Sequence, residues 1–170
     1  MPVTAHCRNA SSTLDSARAG VDLILHGSFM DEPALDAVLE AGSAICPTFT
    51  FLANLADHGP AVGAGVGMRD IFRGEIEATA AIMRKAYDLG VPLLCGSESG
   101  FALTPYGHWH ARELEVFVRD LQLTPLEAIT CATANNALAM RLEGRLGTIE
   151  TGRLADVSVV GGDARADGAV

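Results

Sequence analysis

Short apolar runs alternate with longer amphipathic stretches along most of the chain, and Gly or Pro marks nearly every junction. Residues 3–5 read as a short strand, residues 13–19 as a helix closed by Gly20, and residues 22–25 as a second strand. Asp31-Glu32-Pro33 opens the next helix, with Pro in its first turn, and Leu35, Val38 and Leu39 mark its apolar stripe before Gly42. Residues 43–46 form a third strand, stopped by Pro47, and the Gly-rich stretch 52–68 reads as a long loop. Ile71, Phe72, Ile76, Ala80 and Met83 recur at helical spacing within 69–89, and a fourth strand is expected over 91–95. A helix over 111–121 follows.

Strand and helix thus alternate four times, which predicts βαβ units, a parallel sheet and right-handed crossovers. The expected fold class is α/β, with four βα units making half of an eight-stranded barrel. Beyond them the pattern changes. Thr124-Pro125-Leu126-Glu127 has the capping-box form and starts a helix to about residue 134, with a shorter helix over 136–142. Asn135-Asn136 reads as a cap between the two. Two short strands are expected within 147–160, and residues 161–170 are expected to fray. The domain reading is residues 1–143 for the half-barrel, 144–163 for a C-terminal β segment and 164–170 for a disordered tail.

Composition narrows the function. The chain has 170 residues, 49% of them apolar and 19% charged, which is ample for a core. Its net charge of −9 speaks against nucleic acid or an anionic membrane as partner. No apolar run approaches the ~18 residues that a membrane span needs. Cys7, Cys46, Cys95 and Cys131 are widely spaced and mostly lie in or beside apolar runs, as expected of buried free thiols in a reducing cytoplasm.

The candidate chemistry lies at the ends of the apolar runs. His6, His26 and Glu98 each follow one, and in a parallel α/β sheet the carboxyl ends of successive strands share a rim. Two imidazoles and a carboxylate on one rim suit Zn²⁺ or another divalent ion in a hydrolytic site. Each histidine could equally be a satisfied structural residue. His108-x-His110 and Arg112 lie in the stretch after the fourth strand and are candidate substrate contacts. The plainer reading is an exposed loop with Trp109 packing inward. His58 falls in the expected long loop and receives no role.

The runs Val3-Thr4-Ala5-His6 and Ala19-Gly20-Val21-Asp22-Leu23-Ile24-Leu25-His26-Gly27 resemble the fifth and sixth barrel strands of the metal-dependent amidohydrolase superfamily. Cys95-Gly96-Ser97-Glu98-Ser99-Gly100 resembles its eighth-strand motif, and Thr148-Ile149-Glu150-Thr151-Gly152-Arg153-Leu154-Ala155-Asp156-Val157 its C-terminal signature beside an accessory β-sandwich. The subgroup most resembled is the imidazolonepropionase-like and Xaa-Pro dipeptidase-like hydrolases, over roughly residues 3 to 163.

That resemblance implies a metal-dependent hydrolase of C–N bonds in amides, cyclic amides or dipeptides, with a binuclear metal centre in the intact enzyme. His6 and His26 match the two histidines of the more exposed metal. Glu98 stands where the family has an aspartate that binds the other metal and takes a proton from the attacking water. The family's H-x-H and its bridging lysine would precede residue 1, so the chain looks like the C-terminal half of such an enzyme. The competing expectation is a half-barrel that catalyses nothing alone. It would self-associate as a homo-oligomer or need a partner chain, since an open parallel sheet exposes edges and apolar faces.

Overall fold

The computed structural model describes residues 2–65, 67–101 and 103–163. Its centre is a three-stranded parallel sheet in the order β1 (Thr4–Cys7), β2 (Leu23–His26), β3 (Ala44–Cys46). Helix α1 (Ala10–Arg18) crosses from β1 to β2 and α2 (Glu32–Ala41) from β2 to β3, the two packing on each other. Both starts are locally encoded. The Asn9 side chain accepts from Ser12 N at 2.8 Å, and Asp31 Oδ1 accepts from Ala34 N at 3.1 Å. Gly42 ends α2 in the left-handed region at φ 68°, where a residue without Cβ is at ease.

The sheet separates two apolar layers. Ile24, Ile45 and Leu93 pack with the helices in the main core, whereas Ala44, Cys46 and Leu94 form a smaller cluster with Leu23, Leu25 and Ala139. Alternation along each strand produces this division. Helices α3 (Phe49–His58) and α4 (Met68–Asp88) pack together, with a 3₁₀ turn over Gly59–Val62 between them. Ile76, Ala80, Met83 and Ala86 form the buried stripe of α4. Next come α5 (Arg112–Arg119), α6 (Pro125–Thr130), a π turn at Cys131–Asn135 and α7 (Asn136–Ala139). The α6 start is the predicted capping box, closed by Thr124 and Glu127.

Three expectations need correction. Much of the expected loop 52–68 is helical, because α3 and its 3₁₀ extension occupy it to Val62. The fourth strand is reduced to one parallel bridge, Ile45↔Leu93, held by Ile45 N to Pro92 O at 3.0 Å and Leu94 N to Ile45 O at 2.8 Å. Residues 147–160 carry turns and no strand among the described residues, and residues 164–170 lie outside the described set. A strand needs a neighbour to complete its ladder, and the described residues supply none for 147–160.

Asn135 and Asn136 do not cap a helix. Asn135 Nδ2 donates to Leu93 O at 3.0 Å. Asn136 brackets Cys95, accepting from its N at 3.2 Å and donating to its O at 3.0 Å. The two carboxamides thereby satisfy the backbone groups that a further strand would have paired. Gly96 follows with no room for a side chain, since a Cβ there would lie 2.6 Å from Cys46 Sγ.

Candidate metal centre

The three predicted ligands converge. Among the described residues, ligand atoms of His6, His26 and Glu98 all lie within 4.8 Å of one another. His26 Nε2 is 3.0 Å from His6 Nδ1 and 3.8 Å from Glu98 Oε1. Around one tetrahedral Zn²⁺ with bonds of about 2.0–2.1 Å, donor atoms sit roughly 3.3 Å apart. The histidine pair, at 3.0 Å, is near that spacing, whereas the Glu98 carboxylate, 3.8 Å from His26 Nε2, sits wider than it.

Left-handed backbone makes this convergence work. In the β1–β2 register His6 faces Leu25 while His26 faces Cys7, so regular alternation would put the two imidazoles on opposite faces of the sheet. His26 has φ 69°, which breaks the alternation and brings the rings edge-to-face with centroids 4.4 Å apart. Thr48 (φ 56°), just beyond β3, and Glu98 (φ 51°) take the same uncommon conformation. Three such non-glycine residues at neighbouring strand ends amount to strain collected at one place.

Burial sets the charges. His26 is 4% exposed, and burial, with the nearby His6 and Arg8, depresses its pKa to about 4. It is therefore neutral near pH 7, as a ligand must be. Partial burial raises the Glu98 carboxyl above its ordinary value, against the opposing pull of His6, Arg8 and the Thr48 hydroxyl. Thr48 Oγ1 also lies 2.5 Å from His26 Nδ1. The thiols of Cys46 and Cys131 are pushed up to about 12 by burial and stay protonated.

The other candidates are placed as follows. His110 Nδ1 is 2.7 Å from Ser97 Oγ and 3.4 Å from Ser99 Oγ, so it grips both neighbours of Glu98. His108 is exposed on the same loop. Arg112 is engaged by Asp57 and Glu115. Trp109 does not pack inward: it is 41% exposed and lies against the His58 ring, centroids 5.5 Å apart. Sequence reasoning missed Arg8, held by Glu75, which also accepts from Ser28 Oγ at 3.1 Å. Its position two residues after His6 was the available signal. Thr48 was missed as well, and no local pattern announces it.

Residues 1–167 match the amidohydrolase family. The chain belongs to that family. Members of the family are generally metal-dependent, and the His/His/Glu donor set agrees with that chemistry. Among solved structures, a Xaa-Pro dipeptidase with methionine bound in its active site is 29% identical with TM-score 0.80, covering 98% of this chain and 40% of that one. A putative prolidase from Bifidobacterium longum is 28% identical with TM-score 0.77, covering 92% of this chain and 40% of its own. A Mycobacterium tuberculosis protein is 27% identical over 134 residues, 76% of this chain and 34% of that protein. The chain thus spans about 40% of the length of those two solved structures. No helix among the described residues is long and apolar enough to cross a membrane.

Proposed function

We propose that residues 1–143 form the C-terminal half of the (β/α)8 barrel of a metal-dependent hydrolase acting on C–N bonds. Residues 144–163 would then join a composite β-sandwich. The observation that carries this reading is the convergence of His6, His26 and Glu98 on a chain of the amidohydrolase family. Relatives named as Xaa-Pro dipeptidase and prolidase point to dipeptides or N-acyl amino acids as the substrate class.

His6 and His26 would hold a divalent ion, Zn²⁺ in the first instance, with Glu98 on the same ion or on a second one beside it. When bound, such an ion lowers the pKa of a coordinated water to about 7 and polarises the scissile carbonyl. The Glu98 carboxylate takes a proton from the attacking water and delivers it to the leaving nitrogen. Its burial helps, because a carboxyl with a raised pKa is a better match for that shuttle. Arg8 presents a guanidinium near Glu98 and suits the carboxylate of an amino-acid leaving group. His108 and His110, on the loop after Glu98, would contact the substrate. Arg112 is occupied by Asp57 and Glu115 and is not offered to substrate.

The remaining ligands and strands would come from outside residues 1–170. A second reading, an inactive half-barrel that self-associates or awaits a partner chain, draws support from the cavity of about 190 Å³ lined by Leu23, Cys46, Leu94 and Ala139. The apolar lining lies on the sheet face that the missing half would cover.

Metal analysis of the chain, alone and assembled with a prolidase-type N-terminal half, tests the proposal together with Glu98→Gln. The expected result is stoichiometric Zn²⁺ in the assembly and hydrolysis of Xaa-Pro dipeptides, lost in the variant. An assembly that binds metal but hydrolyses equally well with Gln at 98 would exclude the proton-transfer role. No metal in either form would exclude the site itself.

A further inference from the structure

Thr48 was singled out by nothing in the sequence, yet its hydroxyl meets two of the three proposed ligands. Thr48 Oγ1 is 2.5 Å from His26 Nδ1 and 2.7 Å from the carbonyl oxygen of Pro47. It also faces the Glu98 carboxylate. Thr48 Oγ1 donates to the Pro47 carbonyl oxygen, which can only accept, and the same carbonyl also accepts from the His26 ring and favours a proton on it. The hydroxyl oxygen is then left as the acceptor for His26 Nδ1. That nitrogen must therefore carry a proton, and the neutral ring must keep its lone pair on Nε2. Nε2 is the atom that lies 3.0 Å from His6 and 3.8 Å from Glu98.

We infer that Thr48 is a positioning residue that locks His26 in the Nδ1–H tautomer and aims the Nε2 lone pair at the cluster. The inference rests on the metal-site reading for its purpose, but the tautomer stands on hydrogen-bond geometry alone. The backbone is held for this task. Thr48 sits at φ 56° between Pro47 and the start of α3. The two following residues are anchored from another helix: Glu113 Oε1 accepts from Phe49 N at 2.9 Å, and Oε2 from Thr50 N at 2.7 Å and Thr50 Oγ1 at 2.6 Å. Thr48 is 7% exposed and His26 4%, so water has little access to replace the hydroxyl. In the metal-free protein His6 Nδ1–H donates to His26 Nε2. A cation would take the place of that one proton.

The test compares wild type with Thr48→Val and Thr48→Ser. Two-dimensional ¹⁵N–¹H spectra of metal-free protein, with His26 assigned through His26→Gln, report which ring nitrogen is protonated. The expected result is the Nδ1–H form in wild type and the Ser variant, and its loss in the Val variant. Titration with Zn²⁺ alone against a chromophoric chelator should show affinity reduced about 10- to 100-fold in the Val variant and recovered by Ser. A wild-type His26 protonated on Nε2 would overturn the inference even if the Val variant failed to fold. So would a Val variant with wild-type tautomer and wild-type affinity. The predicted tautomer pattern with no Zn²⁺ binding in any form would uphold the role of Thr48 and defeat the metal-site reading instead.

Discussion

Glu113→Gln isolates the energetics of one buried carboxyl. Glu113 is fully buried and serves as the N-terminal acceptor of α3, receiving three hydrogen bonds through both oxygens. Burial raises its pKa from 4.5 to about 7, against those hydrogen bonds. Each pKa unit of difference between folded and unfolded chain corresponds to about 1.4 kcal/mol. The folded state holds its proton to higher pH than the unfolded state. The group's stabilising contribution is therefore complete below pH 4.5, declines as pH rises through about 7, and is gone above it. Wild type should lose about 2.5 kcal/mol from this group between about pH 5 and pH 8. Glutamine cannot titrate, and it loses one acceptor, costing roughly 1–3 kcal/mol at every pH. Urea unfolding of both proteins across that window gives the difference directly, and groups shared by the two, His26 included, cancel. Wild-type stability minus variant stability should shrink steadily with rising pH. A flat difference would refute the reasoning and place the Glu113 carboxyl near its ordinary value.

Gly96→Ala should destabilise by about 1–3 kcal/mol, because its methyl collides with Cys46 Sγ. Adding Cys46→Ala should return part of that loss, a coupling that denaturation of the two single variants and the double variant measures. Asn136→Leu removes both hydrogen bonds to Cys95 and should cost about 2 kcal/mol or more in chemical denaturation. Zn²⁺ at about 100 times its Kd should add about 2.7 kcal/mol to unfolding free energy. The increment should vanish in His26→Ala, and calorimetry with and without chelator reads it.

The parts of the fold legible in the sequence were those with local causes. Gly20, Gly42 and Gly90, with Asp31 and Thr124 as caps, mark helix ends written within a few residues of themselves, whereas α1, capped by Asn9, begins at Ala10, three residues before the start expected at residue 13. Helix α3 was misread because its start is not local. Thr48 stands at its N-cap but makes no side-chain cap bond, and the acceptor of its first N–H groups is Glu113, more than sixty residues further on. The stripe of Phe49, Leu52, Ala53 and Ala56 was present but overshadowed by the Gly and Pro residues after it. The fourth strand was overstated for a related reason, since apolar residues at 91–95 signal burial, and burial does not require a full ladder. The ligand trio was readable because strand ends in a parallel sheet meet at one rim. The left-handed turn at His26 that completes it, and the hydroxyl of Thr48 behind it, depend on contacts between distant segments.

The side chains of Asn135 and Asn136 leave the sheet with unlike margins. Next to Leu93 and Cys95, carboxamides already occupy the outward backbone groups, whereas β1 has β2 as its one ladder partner among the described residues. A strand added beside β1 meets a margin with no ladder partner among the described residues, whereas one added beside Leu93 and Cys95 must first displace the carboxamides. The paired asparagines thus set the order of any further pairing: the β1 margin can accept a strand as it stands, and the opposite margin only after Asn135 and Asn136 turn aside.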